Sequence, residues 1–204
     1  MTLAMIDFNF SEDHILEDER ALLRPLTATD FDNLLYFSLH EPELWKFSMQ
    51  SGIGEDALRN YIAVATEARL AGKEYPFIVY DKKKSAYAGS TRFYDIQLFH
   101  KTLQLGYTWY GKDFQGTGLN KHCKYLLLEF AFEKMNMVRV EFRADNNNKR
   151  SIAAMKSIGC REEGILRSNT IKQDGTRRDS IVLSILKGEW EEGVKERLLT
   201  VMKQ

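Results

Sequence analysis

Two glycines separated by one residue stand between a run of aromatic residues and a helical pattern, in segment 115–120 (QGTGLN). The first amides of a helix lack intrahelical partners, and the helix dipole is positive at that end, so an anion can bind there. A side chain at either glycine would hold phosphate oxygens away from these amides. The segment therefore predicts a diphosphate site, with an ordinary tight turn as the alternative. The residues assigned to the site are Gln115, Gly116, Thr117, Gly118, Leu119 and Asn120.

Two known nucleotide-binding motifs do not fit this segment. A Walker loop needs Lys followed by Ser or Thr after its final glycine, and a dinucleotide fingerprint needs a third glycine where this sequence has Lys121. The strands predicted before the loop form a meander, unlike the alternating units of a dinucleotide-binding sheet. A nucleotide-dependent redox enzyme is therefore disfavoured.

The elements around the loop indicate an α/β fold with a mixed, α+β type of sheet. Three β-rich runs joined by short polar connections precede the loop and predict an antiparallel meander. The strand, loop, helix and strand around the glycines form a crossover unit, which makes its two strands parallel. We expect antiparallel arms around this central β-α-β crossover, with helices on both faces. The predicted strands are 19–26, 75–81, 86–98, 103–110, 137–144, 160–172 and 177–187, and the helices are 27–43, 55–70, 119–131 and 148–158.

Length and composition fit one domain over residues 1–204, with 1–18 as an N-terminal extension and 188–204 as a C-terminal tail helix. Lys plus Arg and Asp plus Glu both total 29, so charge gives no reason to expect nucleic acid or an anionic membrane as a partner. Cys123 and Cys160 form no paired motif, and we identify no secretory signal or membrane-spanning run. We expect a cytoplasmic protein without a metal.

Several motifs around the loop occur in a recognisable order. After the glycine loop come a helix, a strand, the motif N-x-x-S from Asn148 to Ser151, and IGCREEG at 158–164. This order resembles the GNAT superfamily of acyl-CoA-dependent N-acetyltransferases. The segments RALLRPL, NKRS and GCREEGILR, together with the spacing from Asp179 to Trp190, resemble its branch of ribosomal-protein N-terminal acetyltransferases. The resemblance covers about residues 19–190 and implies a GNAT-like fold that uses acetyl-CoA.

The resemblance also implies where acetyl-CoA binds. The two parallel strands are expected to splay after LGYTWY (105–110), so that the pantetheine arm of coenzyme A enters and pairs like an added strand. Cofactor-binding candidates beyond the loop are Thr108, Trp109, Tyr110, Asn148 and Ser151. Aromatic core packing is the alternative for the strand residues, and simple helix capping is the alternative for Asn148.

Two positions depart from the family pattern. Asn120 stands where a small residue is usual, and Met155 stands where many members place the tyrosine that protonates the departing thiolate. Methionine cannot donate a proton. We therefore predict Ser151 as the catalytic hydrogen-bond donor to the sulfur. Cys123 lies on the apolar stripe of its helix, which favours a buried structural thiol over an acyl-enzyme nucleophile.

The implied reaction is direct attack of a neutral amine on the acetyl thioester. An α-amino group is about 30% neutral near pH 7.4, whereas a lysine side chain is about 0.1% neutral. The sequence contains no convincing general base, although Glu163 is possible, so a peptide N-terminus is favoured over a small amine or polyamine. The candidate acceptor-site residues are Trp45, Phe47, Arg92, Tyr94 and Tyr107.

A second function remains open at this point. A GNAT-like module could bind acyl-CoA as a sensor or interaction signal without turning it over, and Asn120 and Met155 favour that possibility. As an enzyme, the protein would transfer an acetyl group from acetyl-CoA to an amine acceptor, either a peptide or a small molecule. We expect a monomer or a homodimer.

Overall fold

The computed structural model describes residues 8–202, and in this range the strands form one eight-stranded sheet. The strands are β1 (Leu16–Glu17), β2 (Ala21–Pro25), β3 (Tyr75–Asp81), β4 (Ala86–Gln97), β5 (Thr102–Tyr110), β6 (Arg139–Asp145), β7 (Arg161–Ile171) and β8 (Arg177–Leu186). The helices are α1 (Phe31–His40), α2 (Glu55–Leu70), α3 (Leu119–Glu129), α4 (Lys149–Ser157), α5 (Lys187–Glu189) and α6 (Lys195–Met202). The strand order is β1-β2-β3-β4-β5-β6-β8-β7, and within the described range β5 and β6 are the one parallel pair.

Helices cover both faces of the sheet. On one face, the Trp109 indole of β5 donates a hydrogen bond to the Tyr61 hydroxyl of α2. On the other face, the Phe130 ring that follows α3 lies parallel to Phe93 of β4, with 6.4 Å between ring centroids. α6 packs against α3 on that second face. The predicted fold class, a mixed sheet with antiparallel arms around one β-α-β crossover, is confirmed.

The bounds of α2 agree with the apolar spacing in the sequence. Leu58, Tyr61, Ile62 and Ala65 repeat at three- and four-residue intervals, and all four are buried. The helix ends before Gly72, which has a φ of 67° and therefore occupies the left-handed region that glycine tolerates. Through Tyr61, this helix contacts the aromatic residue Trp109 of β5.

A bulge interrupts β5 beside its parallel neighbour. Ser90 pairs with Trp109, but Arg92 pairs with Gly106, so Tyr107 and Thr108 together lie opposite Thr91 of β4. Tyr107 has a φ of 48°, which is unusual for a residue other than glycine. Such a bulge increases local twist and bends its strand.

The parallel strands separate soon after they meet. β5 and β6 pair over Thr102–Gln104 and Arg139–Glu141, and the described structure has no further pair between them. We call the gap between residues 105–110 of β5 and residues 142–145 of β6 the split. The sequence resemblance implied a splay after residue 110, but the strands already diverge from Leu105 because the bulge bends β5 away.

Both ends of the described chain contact the helices, the N-terminal segment at α2 and the C-terminal helix α6 at α3. Arg69 of α2 donates to the carbonyl of Phe10 at 2.9 Å, so the predicted extension contacts α2. The predicted tail helix is two helices, α5 and α6, joined by a π-helical turn at Trp190–Val194. Residues 1–7 of the extension and 203–204 of the tail lie outside the described residues. Among residues 8–202, no helix has both the length and the apolar character needed to cross a membrane.

Candidate active site

The glycine loop opens α3 with two left-handed residues. Gly116 has a φ of 72° and Gly118 has a φ of 89°. A Cβ atom built on either residue would meet no heavy atom within 4 Å. The protein therefore leaves open space above both glycines, while their positive φ angles direct the backbone into the helix.

Apart from the amide of Gln115, which donates to the carbonyl of Lys112, the amides of this loop have no partner among the described residues. The N–H of Lys121 donates to the carbonyl of Gly118 at 2.9 Å, but the N–H groups from Gly116 to Asn120 find no acceptor within residues 8–202. They lie at the positive end of the α3 dipole. Open space above unpaired amides fits a diphosphate, so the loop can hold that part of coenzyme A.

Side-chain bonds brace the loop from below. Gln115 donates to the carbonyl of Tyr110 at 2.7 Å, and its own amide oxygen accepts from Arg150 of α4. Thr117 donates to the carbonyl of Phe114 at 2.8 Å. Gln115 and Thr117 thus have bracing contacts that sequence reasoning did not anticipate. The Leu119 side chain is buried in the core, so its amide is the part directed towards the loop.

Asn120, the departure from the family pattern, is half-buried. Its side chain makes no hydrogen bond within the described residues. The loop keeps its left-handed glycines and unpaired amides with this residue in place.

The N-terminus of α4 lies beside the glycine loop. Asn148 is the cap of this helix, because its side-chain oxygen accepts the N–H of Ser151 at 3.1 Å. The hydroxyl of Ser151 has no partner among the described residues, and the residue is half-buried. The hydrogen bond between Arg150 and Gln115 joins this helix to the loop. Two helix N-termini therefore meet next to the split.

The three β5 candidates point in different directions. Thr108 exchanges a hydrogen bond with Thr91 at 2.7 Å on the α3 face. Trp109 lies on the α2 face, where its ring centroid is 4.9 Å from that of Trp45. Tyr110 is buried beside Cys123. The side chains of Trp109 and Tyr110 belong to the core and the Thr108 hydroxyl is already bonded, which leaves backbone groups on the β6-facing edge of β5 for a ligand.

A buried lysine that sequence reasoning missed lies at the split. Lys124 of α3 is 5% exposed, and its Nζ donates to the Thr108 hydroxyl of β5 at 2.8 Å. The same Nζ lies 5.8 Å from the ring centroid of Phe142 on β6. Burial lowers the pKa of Lys124 to about 8, an effect that Cys123 and Cys160 partly offset. In the sequence it resembles an ordinary surface lysine.

Three of the five acceptor-site candidates come together on the α2 face of β4 and β5. The guanidinium carbon of Arg92 lies 4.2 Å from the ring centroid of Tyr107, and the Tyr94 and Tyr107 centroids are 5.1 Å apart. Arg92 is fully buried and donates to Glu74 at 2.7 Å. Burial raises the pKa of both tyrosines. Glu74 and Tyr61 complete this cluster, and sequence reasoning did not assign either residue to it.

The other two acceptor-site candidates are not part of that cluster, although Trp45 contacts its Tyr61. Trp45 is a core residue that packs on Tyr61 and Trp109. Gly52 lies against its ring, where an added Cβ would come within 2.4 Å. Phe47 is half-buried and forms no aromatic pair with the others in the described range. Both residues lie in the connection between α1 and α2.

The remaining reactive side chains favour direct transfer over covalent catalysis. Cys123 and Cys160 are free and buried, and burial raises the pKa of each thiol to about 12. Such thiols are poor nucleophiles. Glu163 pairs with Arg139 and accepts from Ser184 at 2.6 Å, and these bonds lower its pKa. That shift weakens Glu163 as a general base.

Together, the fold and the site define an enzyme class. Unpaired amides at the start of a helix, beside a split between parallel strands, are the features of an acyl-CoA-dependent acyltransferase. A family model described as "Acetyltransferase (GNAT) domain" matches residues 20–161, and the chain belongs to this family. It is therefore an acetyl-CoA-dependent acetyltransferase, and the resemblance found in the sequence is confirmed.

Similar proteins support this assignment. The "Putative ribosomal N-acetyltransferase YdaF" of Bacillus subtilis is 28% identical over 173 residues, covering 83% of this chain and 91% of that protein. A crystal structure described as a "putative acetyltransferase" from T. thermophilus is 33% identical, with a TM-score of 0.81 and coverage of 92% of this chain and 96% of that one. RimJ of Mycobacterium smegmatis, solved with CoA-disulfide, has a TM-score of 0.76 at 19% identity, with 93% of each chain covered. The last likeness concerns the fold alone.

Proposed function

We propose that this protein transfers the acetyl group of acetyl-CoA to the α-amino group of a peptide or protein. The observation that carries the proposal is the junction of the glycine loop with the split. Amides of residues 116–120, which have no partner among residues 8–202, lie at one end of a gap in which β5 and β6 do not pair with each other. The ribosomal name of the Bacillus subtilis relative supports a protein acceptor over a small amine.

The residues that would hold acetyl-CoA follow from these features. The amides of residues 116–120 bind the diphosphate, with Gln115 and Thr117 holding the loop in shape. The backbone of Thr108, Trp109 and Tyr110 offers an open strand edge to the pantetheine amides. Asn148 caps the first turn of α4 beside the loop, and we assign Ser151 of that turn to this site.

The chemistry assigns a distinct task to each group of residues. Bound acetyl-CoA supplies an activated acetyl thioester. Backbone N–H groups along the edge of β5 polarise the thioester carbonyl, and the free Ser151 hydroxyl donates a hydrogen bond to the sulfur. The cluster of Arg92, Tyr94 and Tyr107 lies on the opposite face of the sheet and orients the amine.

The absence of an evident base among the described residues favours an α-amine as acceptor. Glu163 is engaged by Arg139, and Glu74 is engaged by Arg92. An amine with a pKa of about 7.8 provides its own neutral fraction near pH 7, whereas a lysine needs a base or a strongly apolar pocket. The buried cation of Arg92 also disfavours a second, fully charged ammonium beside it.

An acetyl-transfer screen tests this proposal. Purified protein and acetyl-CoA are mixed with peptides that carry a free N-terminus, with the same peptides blocked at the N-terminus but containing lysine, and with polyamines. Mass spectrometry locates the added acetyl group. We expect acetylation of free N-termini. Transfer confined to lysine or polyamines overturns the acceptor assignment, and acetyl-CoA binding without thiol release for any acceptor favours the non-catalytic binding module.

A further inference from the structure

Lys124 is a cation held at the split with few partners. Its ammonium has three N–H donors, and the described residues supply one acceptor, the Thr108 hydroxyl at 2.8 Å. No carboxylate of the described residues lies within ion-pair distance of Nζ. Lysine is rarely buried without a charged partner, because the cost of removing it from water is then uncompensated. A ligand bound in the split would supply the acceptor that this ammonium lacks.

Lys124 lies at the inner end of the split, which is the end nearest the last pair between β5 and β6. Gly118 and the glycine loop lie at the outer end, where β5 finishes, and Lys124 is about 9 Å further along α3 by helical rise. Phe142, which lies under Nζ, is the first residue of β6 beyond its last pair with β5. A coenzyme A bound by its diphosphate at the loop, with its pantetheine arm in the split, would extend its sulfur end in this direction.

We propose that the Lys124 ammonium contacts the coenzyme A sulfur and supplies the proton that the departing thiolate takes up. This inference rests on the proposed function, because it requires the pantetheine arm to lie in the split. Ser151 contributes a neutral hydrogen bond to the same sulfur, whereas Lys124 contributes the positive charge. Lys124 would thereby supply the proton that many family members take from a tyrosine, at the position where this chain has Met155.

Bonds and protons balance in this acetyl-transfer step. The amine nitrogen forms the new C–N bond, the C–S bond breaks, and its electron pair stays on sulfur. Sulfur takes a proton from Nζ and leaves as a thiol, so Lys124 becomes neutral. The amine loses one proton when it becomes an amide, and that proton restores the charge of Lys124. No oxidant or further reactant is needed.

The groups around Nζ allow this exchange near neutral pH. Cys123 on α3 and Cys160 after α4 are the titratable neighbours that affect its pKa, and Thr108 of β5 and Phe142 of β6 are uncharged. Burial lowers the pKa of Lys124 to about 8. A model thiol has a pKa of about 8.5, close to that of the ammonium, so a proton can pass between Lys124 and the departing sulfur at little cost.

A titration of the bound thiol tests the proposal without relying on turnover. Ultraviolet absorbance of the thiolate is followed against pH for coenzyme A complexes of the wild type, Lys124→Met and the control Lys134→Met. The acetyl-CoA complex provides the baseline, and the pKa values near 12 of Cys123 and Cys160 keep them silent below about pH 10. Lys134 is an exposed lysine just after α3.

We expect the thiol to ionise about one pH unit lower in the wild type and in Lys134→Met than in Lys124→Met, a tenfold change in its ionisation constant. Affinity for acetyl-CoA should stay within about twofold. Identical titrations in all three proteins overturn the role of Lys124 while leaving acetyl-CoA binding intact. Failure of the wild type to bind acetyl-CoA instead overturns the proposed function. Lys124→Gln provides a second neutral variant if Lys124→Met does not fold.

Discussion

The side-chain oxygen of Asn148 accepts the backbone N–H of Ser151 at 3.1 Å, and the Ser151 hydroxyl has no partner among the described residues. The cap therefore uses the amide of Ser151 and leaves its hydroxyl available. Capping and donation to the sulfur, which the sequence could not separate, are compatible functions of the same helical turn.

Replacing Ser151 by alanine should lower kcat about 100-fold, because a donor to the developing thiolate is lost. The equilibrium affinity for acetyl-CoA should change less than about twofold, since the cap bond from the Ser151 amide remains. Steady-state kinetics and calorimetry provide the two measurements. Ser157→Ala is the matched control, because that hydroxyl donates to Ala154 at the exposed end of the same helix. Equal, small effects of both substitutions would contradict the assignment of Ser151.

Replacing Asn148 by alanine should lower the free energy of unfolding by about 1 kcal/mol, the usual cost of losing a helix cap. The first turn of α4 should also fray, so kcat should fall together with stability. Asn148→Ser keeps a capping oxygen and should retain most of both properties. Urea unfolding followed by circular dichroism measures the stability. Full activity in a destabilised Asn148→Ala protein would show that the cap does not position Ser151.

The glycine loop allows a control of equal backbone strain. Gly118 and Gly175 have φ angles of 89° and 80°, and an added Cβ meets nothing within 4 Å at either position. Gly118→Val and Gly175→Val should therefore destabilise the protein to a similar extent, about 1–2 kcal/mol. Gly118→Val alone should weaken acetyl-CoA binding, by more than about tenfold, because its side chain enters the space above the amides. Calorimetric titration of both variants with acetyl-CoA decides whether position 118 requires glycine for its backbone angles alone or also for ligand binding.

The buried ion pair on the α2 face predicts an effect on the acceptor. Glu74→Gln leaves the fully buried Arg92 guanidinium without its charged partner and should cost about 3 kcal/mol of stability. It should raise KM for the acceptor without changing acetyl-CoA affinity, because the cluster with Tyr107 and Tyr94 loosens. Adding Arg92→Met should recover stability but not acceptor KM. An unchanged acceptor KM in both variants would move the acceptor site elsewhere.

The sequence predicts features that depend on neighbouring residues. The spacing of Leu58, Tyr61, Ile62 and Ala65 defines α2 over residues 55–70, because one helical face must be apolar to be buried. The glycine loop follows from the need for left-handed residues at the start of α3. The order of strands and helices was sufficient to predict a mixed sheet, since a crossover connection makes the two strands that it joins parallel.

Features that depend on distant residues could not be predicted in this way. The split begins at Leu105 because of a bulge, which arises from the register between β4 and β5 and has no local signature in the tyrosine at 107. Lys124 is buried because α3 places it against β5 and β6, whereas its neighbour Lys121 on the same helix is half-exposed. Burial of a charged side chain is a property of the packed helix and is not encoded in its own residue type.

The buried ammonium of Lys124 affects stability in a way that does not depend on catalysis. Burial lowers its pKa from 10.5 to about 8 in the folded protein. Below about pH 8 the lysine is charged in both states, so folding carries the full desolvation cost, about 3 kcal/mol for this shift. Between about pH 8 and 10.5 the unfolded chain binds more protons than the folded one, and stability therefore rises with pH.

Lys124→Met should accordingly be more stable than the wild type at about pH 7, by an amount that decreases as the pH rises to about 10.5. Denaturant titrations at each pH measure this difference in the free energy of unfolding. Lys134→Met, which removes an exposed lysine, should show no such trend. A constant difference between wild type and Lys124→Met over this range would show that Lys124 does not lose its proton in the folded state.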